Sequence, residues 1–438
     1  MKNYKMLVPV VLVLLFVLGI YVASDSNLST KKEYAGHMST ARSFAKQGIA
    51  VDAIASYKEA LAMQASVPLY LELGRYYIEC EHYAQAQDLG EEMLAKYPKN
   101  PEGYKFLMEL YNNNGDYAEC FKAYDKLVKK RLPTDSVQEL YKEIYDTYEL
   151  EYTDEYEEVS LFGGGYCAVK LEGKWGYLSE KGKKAVSCIY TEAGVFSEGL
   201  APVLDTQNKA YFIDTSGNRK KNITADSVKK AGSIERDVFT GFNGQTWGFY
   251  NAESELIAGE YDGISTYANG VAAVKQNGMW SIVNGQGKQI GSGCYDKILS
   301  DEKGIIYRNE RYFVKEGEKV YMLDASGNKV GTTGFNDARI FGGIGEGAYA
   351  AVKAGELWGF IDASGNYFIE PEYENARSFS NGYAAVQKDG LWGFINLKNE
   401  LAIVNKFDEA MDFNSKGYVF VNERRSWKLL ALYRLNHK

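Results

Sequence analysis

Residues 389–400, DGLWGFINLKNE, repeat almost word for word what stands at 355–366, GELWGFIDASGN, with Trp392-Gly393 in one stretch and Trp358-Gly359 in the other. Each alternates apolar with polar or small residues, the period of a half-buried strand. The second runs into DASGN, which reads as a turn: Asp362 caps its backbone and Gly365 takes the positive-φ place. A strand followed by a tight turn, said twice at close interval, raises the question of how often the chain says it.

Trp-Gly stands at Trp175, Trp247, Trp358 and Trp392, while Trp280-Ser281 and Trp427-Lys428 keep the Trp alone. KAYFIDTSG and KVYMLDASG repeat the phrase, with Tyr211 and Tyr321 read in the Trp place. Eight copies result, and the seven steps from Trp175 to Trp427 cover 252 residues, 36 each. A second phrase precedes the copies: Tyr190-x-x-Ala193-x-x-Phe196 before GLAPV, Tyr373-x-x-Ala376-x-x-Phe379 before GYAAV, Phe407-x-x-Ala410-x-x-Phe413 before GYVFV. The array closely resembles the WG repeat family of bacterial surface and envelope proteins, over roughly residues 151–438. The third copy (VKKAGSIERDVFTGF) lacks the aromatic opening and the fifth (SDEKGIIYRNERYFV) is stretched, so both depart from the pattern.

Each unit reads as four short antiparallel strands. Gly after Trp has no side chain, so a neighbouring sheet or ring can approach the backbone closely. The repeated Trp or Tyr is most simply the core plug of its unit, with a ligand-stacking platform as the alternative. Units of four short strands favour a β-propeller, although 36 residues is short beside the usual ~40–45; an open β-solenoid is the other arrangement. The last unit stops after SWKLLALYRL and lacks the final strand that another copy spells NYFIEPEYENA, while ELEYTDEYEEV before the first unit is a surplus copy of it, with Tyr156 in the Tyr373 place. A piece missing at one end and spare at the other is what ring closure needs.

Upstream the period changes. Val67, Tyr70, Leu73, Gly74, Tyr77, Ala86 and Pro98 are matched thirty-four residues on by Pro101, Tyr104, Leu107, Tyr111, Cys120 and Tyr124, and more weakly before by Ala41, Phe44, Ala53, Tyr57 and Ala60. These paired helical patterns resemble the tetratricopeptide repeat, whose small residues let helices pack closely. SVQELYKEIYDTYELEY supplies a capping helix, with Tyr141, Tyr145, Tyr148 and Tyr152 on one stripe. Helix and spare strand therefore compete for Tyr152. The acids around the stripe (Glu139, Glu143, Asp146, Glu149, Glu151) read as a solvated face.

Met6 to Ala23 is 18 residues without a charge, preceded by Lys2 and Lys5. That length spans a bilayer, and the positive flank keeps the tip cytoplasmic; a signal peptide cleaved near Val22-Ala23-Ser24 is the rival reading. The expected organisation is a tip and anchor at 1–23, a linker at 24–33, a tetratricopeptide-like α-solenoid with its cap at 34–150, and an eight-unit β-repeat domain at 151–438.

A net charge of -8 argues against a nucleic-acid partner. Three His (His37, His82, His437) and five Cys without a CxxC pair offer no metal pattern. Gly343-x-Gly345-x-x-Ala348 matches a dinucleotide fingerprint in letters, but a strand pattern follows where a helix is needed. Asp214, Asp324 and Asp362 lack the ligand spacing of a calcium loop. With no nucleophile–base pair or paired His, no catalysis, metal or cofactor is expected.

The expected function is a membrane-anchored, extracytoplasmic scaffold for a protein or peptide partner. A cell-wall or glycan-binding module, secreted if the leader is cleaved, is the alternative. The tetratricopeptide resemblance implies a groove on the first helix of each pair, lined here by Arg42, Lys46, Arg75, Lys105, Asn112 and Asn113. Arg forks suit carboxylates and Asn suits a peptide backbone, so an acidic or C-terminal peptide is the expected occupant. A basic helix face kept soluble is the other reading, favoured by Glu109 at the third unit's matching position.

Overall fold

The computed structural model describes residues 29–220 and 227–436, so the apolar segment 6–23 lies outside the described residues. The chain divides into two compact units at Thr147/Tyr148.

The first unit is helical. Helix α1 covers 29–46, followed by α2 (Ala50–Met63), α3 (Val67–Glu79), α4 (Tyr83–Lys96), α5 (Pro101–Asn114), α6 (Tyr117–Lys129) and α7 (Asp135–Ile144). Their starts are written locally. Pro68 and Pro101 occupy first-turn positions where a missing N–H costs nothing. The side chains of Asn100, Asp116 and Thr134 accept from backbone N–H groups of the first turn. The thirty-four-residue pattern is the buried face: Tyr70, Leu73 and Tyr77 of α3 and Tyr104, Leu107 and Tyr111 of α5 all lie in the core. Small residues bring helices together where expected, since a Cβ on Gly74 would lie 2.4 Å from the Phe106 ring.

The second unit is a ring of eight antiparallel sheets. Every blade but the third begins with a two-residue strand nearest the axis, such as Asn375–Ala376 in blade 7, and blade 7 steps outward through Tyr383–Lys388, Leu391–Asn396 and Leu401–Phe407. In blades 2, 4 and 5 three strands are continuous, and isolated bridges such as Trp280 to Tyr295 and Val320 to Phe335 stand for the fourth. The third copy, despite its missing aromatic, forms a four-stranded sheet from Lys230–Glu235 to Leu256–Tyr261, with a longer first strand than the other blades and a register shift between Phe239 and Gly241.

Ring closure takes the form the spare strand implied. Tyr148–Tyr152 pairs antiparallel with Ser426–Leu432 as the outer strand of blade 8. The hydrophobic cluster between blades 8 and 1 joins Phe420, Trp427 and Leu429 to Tyr156, Val159 and Cys167. It has a counterpart between every other neighbouring pair. The fold is thus an eight-bladed β-propeller, not an open solenoid. The unit starts at Tyr148, not 151, and the capping helix stops at Ile144. Thr147 accounts for the stop: its N–H and Oγ1 both donate to the Ile144 carbonyl. Beyond it Tyr148 and Leu150 turn toward the blade 7–8 core while Glu149 and Glu151 face out, the two-residue period of a strand.

The glycine of the repeat has a measurable reason. In blade 7 Trp392 pairs with Phe407 and Phe394 with Ile403, so two residues on one strand oppose four on the next. That bulge lays outer-strand backbone over Gly393, where a Cβ would lie 2.5 Å from the Ile403 carbonyl oxygen and 2.7 Å from Asn405 N. Gly176 and Gly359 meet the same arrangement. Gly393→Ala is expected to cost about 2–3 kcal/mol through forced backbone movement. Chemical denaturation of the two proteins measures it, and an unchanged midpoint would mean the bulge simply moves aside.

Candidate functional site

In the helical unit three of the six residues expected to line a groove, Arg42, Arg75 and Lys105, fall into a ladder of ion pairs. Arg42 on α1 donates from Nε and Nη2 to the two oxygens of Glu72 on α3, at 2.7 and 2.8 Å. One repeat on, Arg75 on α3 reaches Glu109 on α5 at 3.3 Å. Lys105 lies 3.7 Å from the same Glu109, and Asn113 donates to its carbonyl. Lys46 is exposed and Asn112 partly so. The two guanidinium groups therefore do not stand as a paired fork for a ligand carboxylate; each is held by an acid of the next repeat. The Arg42 hydrogen bonds keep the Glu72 carboxyl below its ordinary value, against burial that would raise it. A depressed carboxyl contributes stability above its unfolded value that is lost as pH falls through the folded one. Arg42→Gln should therefore cost about 0.2–1 kcal/mol at neutral pH, the range for an exposed pair, and nothing once Glu72 is protonated. Thermal melts at pH 7 and pH 2.5 check the difference.

None of the eight repeat aromatics is exposed. Trp358, Trp392 and Trp427 are buried, and Trp175, Tyr211, Trp247, Trp280 and Tyr321 are half-buried. Each Trp packs against the following blade, as Trp392 does with Phe413 and Val421. A stacking platform for sugar rings would need open faces, so it is not found at these positions. Two of the eight need correction. The Trp of other blades pairs with a residue such as Lys170 or Gln387 of the preceding strand. Ala210, paired with Leu204, and Val320, paired with Lys315, hold that place in blades 2 and 5. Tyr211 and Tyr321 stand one residue on, in the glycine register, where Arg219 and Lys329 lie over their rings at 4.6 and 3.8 Å. A one-residue slip turns a strand side chain to the opposite face, so an aromatic beside the expected place is not an aromatic in it.

The charged centre of the protein lies on the propeller axis, and it was missed in the sequence. The stretched fifth copy places Asp301-Glu302-Lys303-Gly304 as a plug among the inner strands. Thr266 of blade 4 binds it, donating Oγ1 to the Lys303 carbonyl at 2.5 Å and N–H to that of Gly304. Lys303 Nζ crosses the axis to the Phe162 carbonyl of blade 1 at 2.9 Å. Glu302 accepts from Arg377 of blade 7 at 2.7 Å, and Arg377 also grips Asp412 of blade 8 at 2.6 and 3.2 Å. Arg308 joins Asp301 at 3.1 Å and donates to the Phe341 carbonyl of blade 6. Burial pushes the Lys303 ammonium below its ordinary value, with Asp301 opposing. Burial alone would raise the Glu302 carboxyl, but the Arg377 guanidinium outweighs it and holds the group low. The signal was legible in principle. Ala338-Arg339-Ile340-Phe341 and Ala376-Arg377-Ser378-Phe379 put Arg where the same phrase elsewhere has Ser160 or Gly194.

The turn acids serve the backbone. Asp362 Oδ1 accepts from Ser364 N and Asn366 N at 2.8 and 2.9 Å, and Asp214 and Asp324 do the same. The glycines of FGGIGEGA lie in the loop before Ala350–Ala354, a strand.

Among solved structures the chain is similar to the computationally designed Ika8 protein (TM-score 0.44, 10% identity, 65% of this chain and 99% of that one). It is also similar to BamB from Moraxella catarrhalis (TM-score 0.41, 11% identity, 64% and 92%) and to the WD40 β-propeller domain of Doa1 (TM-score 0.35, 10% identity, 65% and 96%). No curated protein matches the chain. The family model of the WG containing repeat matches residues 155–175, 175–205, 247–280, 358–392 and 392–427. The copies built on Ala210 and Val320 fall outside these matches, as their missing Trp-Gly would lead one to expect. The five matched stretches of this propeller are WG containing repeats.

Proposed function

We propose that the protein is a non-catalytic interaction scaffold, held to a membrane by residues 6–23, that offers protein partners a helical unit and a propeller on the extracytoplasmic side. The observation that carries this reading is the presence of two repeat-built units, in each of which Arg groups are held by acids of the same unit: Arg42 and Arg75 in the helical one, Arg377 in the propeller. The propeller axis is filled by the chain's own plug, and the helical face by its own ladder, so partners are met on surfaces. The helix pairs recurring at thirty-four residues support kinship with tetratricopeptide repeats, and the hydropathy of 6–23 with Lys2 and Lys5 before it supports the anchor. Among the described residues no helix is long and apolar enough to cross a membrane.

The test uses the full chain in its native membrane. Protease added to intact cells stripped of wall should digest the soluble part, and its full protection would reverse the topology. Crosslinking in the same membranes should capture a defined protein set that diminishes when Arg42→Glu and Arg75→Glu are introduced together into a chain that still folds. The same set at low salt in both proteins would remove the helical face from the binding surface.

A further inference from the structure

The helices of the first unit run alternately up and down, and several of their loops are tied together at one end. Tyr97 in the α4–α5 loop donates Oη–H to the Ala65 carbonyl in the α2–α3 loop at 3.0 Å. Lys130 in the α6–α7 loop donates to the Pro98 carbonyl at 3.4 Å. The N-terminal half of α1 comes to the same end, since His37 meets Glu59 in the C-terminal half of α2 at 2.8 Å. This end collects cations. Lys31, Lys32, Lys96, Lys99, Lys129 and Arg131 are all exposed, and no ion pair of this unit among the described residues uses them. Helix dipoles account for Lys96 and Lys129, which stand in the last turns of α4 and α6. They do not account for Lys99 and Arg131, which lie past those helices. The acids in the same loops and flanking turns, Glu33, Glu102 and Asp135, are fewer. The opposite end has the other sign, with Asp52, Glu79, Glu81, Asp116 and Glu119 around Lys46. The segment 6–23 joins the unit at the basic end. Only residues 24–28 separate it from α1, a reach of about 20 Å at full extension.

We propose that the basic end of the helical unit docks on the anionic phospholipid headgroups of the bilayer that holds residues 6–23. Lys99, Lys129 and Arg131 present ammonium and guanidinium groups to the phosphate oxygens. Attraction between exposed charges fades over about 8 Å at physiological ionic strength, so the short linker is what lets these loops settle on the surface. Docking would stand the helices away from the bilayer and turn the acidic end outward. The proposal rests on the anchor reading for its reach, and on the charge of this end for its chemistry.

The test adds the full chain in detergent to preformed vesicles of phosphatidylcholine alone, or of equal parts phosphatidylcholine and phosphatidylglycerol. Lysines are then acetylated in a brief pulse and read by mass spectrometry. Flotation with both kinds of vesicle reports the anchor. Lys99 and Lys129 should label at least about fivefold more slowly on the anionic vesicles than on the neutral ones, the worth of one cation beside such a surface. Lys46, at the acidic end, should label alike on both. High salt should erase the difference. Lys99→Glu with Arg131→Glu should return Lys129 to its rate on neutral vesicles. Equal rates for Lys99 and Lys129 on the two vesicles overturn the docking even when the chain floats with both. So does a Lys46 slowed as much as they are, since the charge would then act on the whole unit. A chain that does not float with neutral vesicles removes the anchor. The docking is then upheld by flotation with anionic vesicles that the double variant loses, and overturned by its absence. If the variant does not fold, the labelling contrast in the wild-type chain decides alone.

Discussion

Trp392→Ala is expected to destabilise the propeller by about 3–5 kcal/mol, the cost of emptying a large aromatic site in a close-packed core. Trp392 is 9% exposed and sits where blade 7 meets blade 8, among Phe394, Phe407, Ala410, Phe413 and Val421. Removing the indole opens a void at an interface between sheets, where two rigid layers cannot collapse into it. For a unit of this size the melting temperature should fall by roughly 6–15 °C. Tyr321→Ala is the informative companion. Its ring is half-buried beneath Lys329 and stands in the glycine register, so its loss should cost less than about 2 kcal/mol. Calorimetric melts of the two variants measure the contrast. Equal losses would mean that the eight aromatics are equivalent after all, and an unmoved melt for Trp392→Ala would place the indole on the surface.

The difference between those two residues shows where a sequence stops being legible. The period of the array, the Asp-x-x-Gly turns and the glycine after Trp are local, and each repeats often enough to be read. The spare strand was legible for the same reason, as a surplus phrase. Register was not: Tyr211 and Tyr321 lie one residue from the Trp place, and only strand pairing distinguishes neighbours that point to opposite faces. The axial network was missed for a different reason. Glu302, Arg339, Arg377 and Asp412 come from four blades, and they converge only because the ring brings every inner strand to one line. The ladder of Arg42 with Glu72 and Arg75 with Glu109 is of the same kind. Each residue reads as a soluble helix face until its partner thirty or more positions away is known. Residue type announced the charge; the tertiary fold decided that it would be neutralised within the chain.

Replacing Tyr148–Tyr152 by a Gly/Ser segment of equal length should open the ring. Five residues pair there with Leu432 through Lys428, and Gly/Ser keeps their backbone groups but weakens the strand by about 0.5–1 kcal/mol per residue through added conformational entropy. Tyr148 and Leu150 also cover the blade 7–8 core, which brings the expected loss to on the order of 4–6 kcal/mol. The native edge of blade 8 is this short strand, and a Gly/Ser segment that pairs poorly leaves the longer Ser426–Leu432 with a row of unpaired N–H and C=O groups, an invitation to pair with another chain. Two changes should then appear together: a lower, broader thermal transition, and concentration-dependent association seen by light scattering. The pairing of Thr153 Oγ1 with the Trp427 carbonyl at 2.8 Å survives the replacement, so blade 1 keeps one tether to blade 8 and the chain should still fold. A variant that melts like the wild type and stays monomeric would mean that the seven remaining interfaces and the blade 8–1 core hold the ring shut without the strand. In that case the stability of the ring would have to be sought in Trp427, Tyr156 and their neighbours.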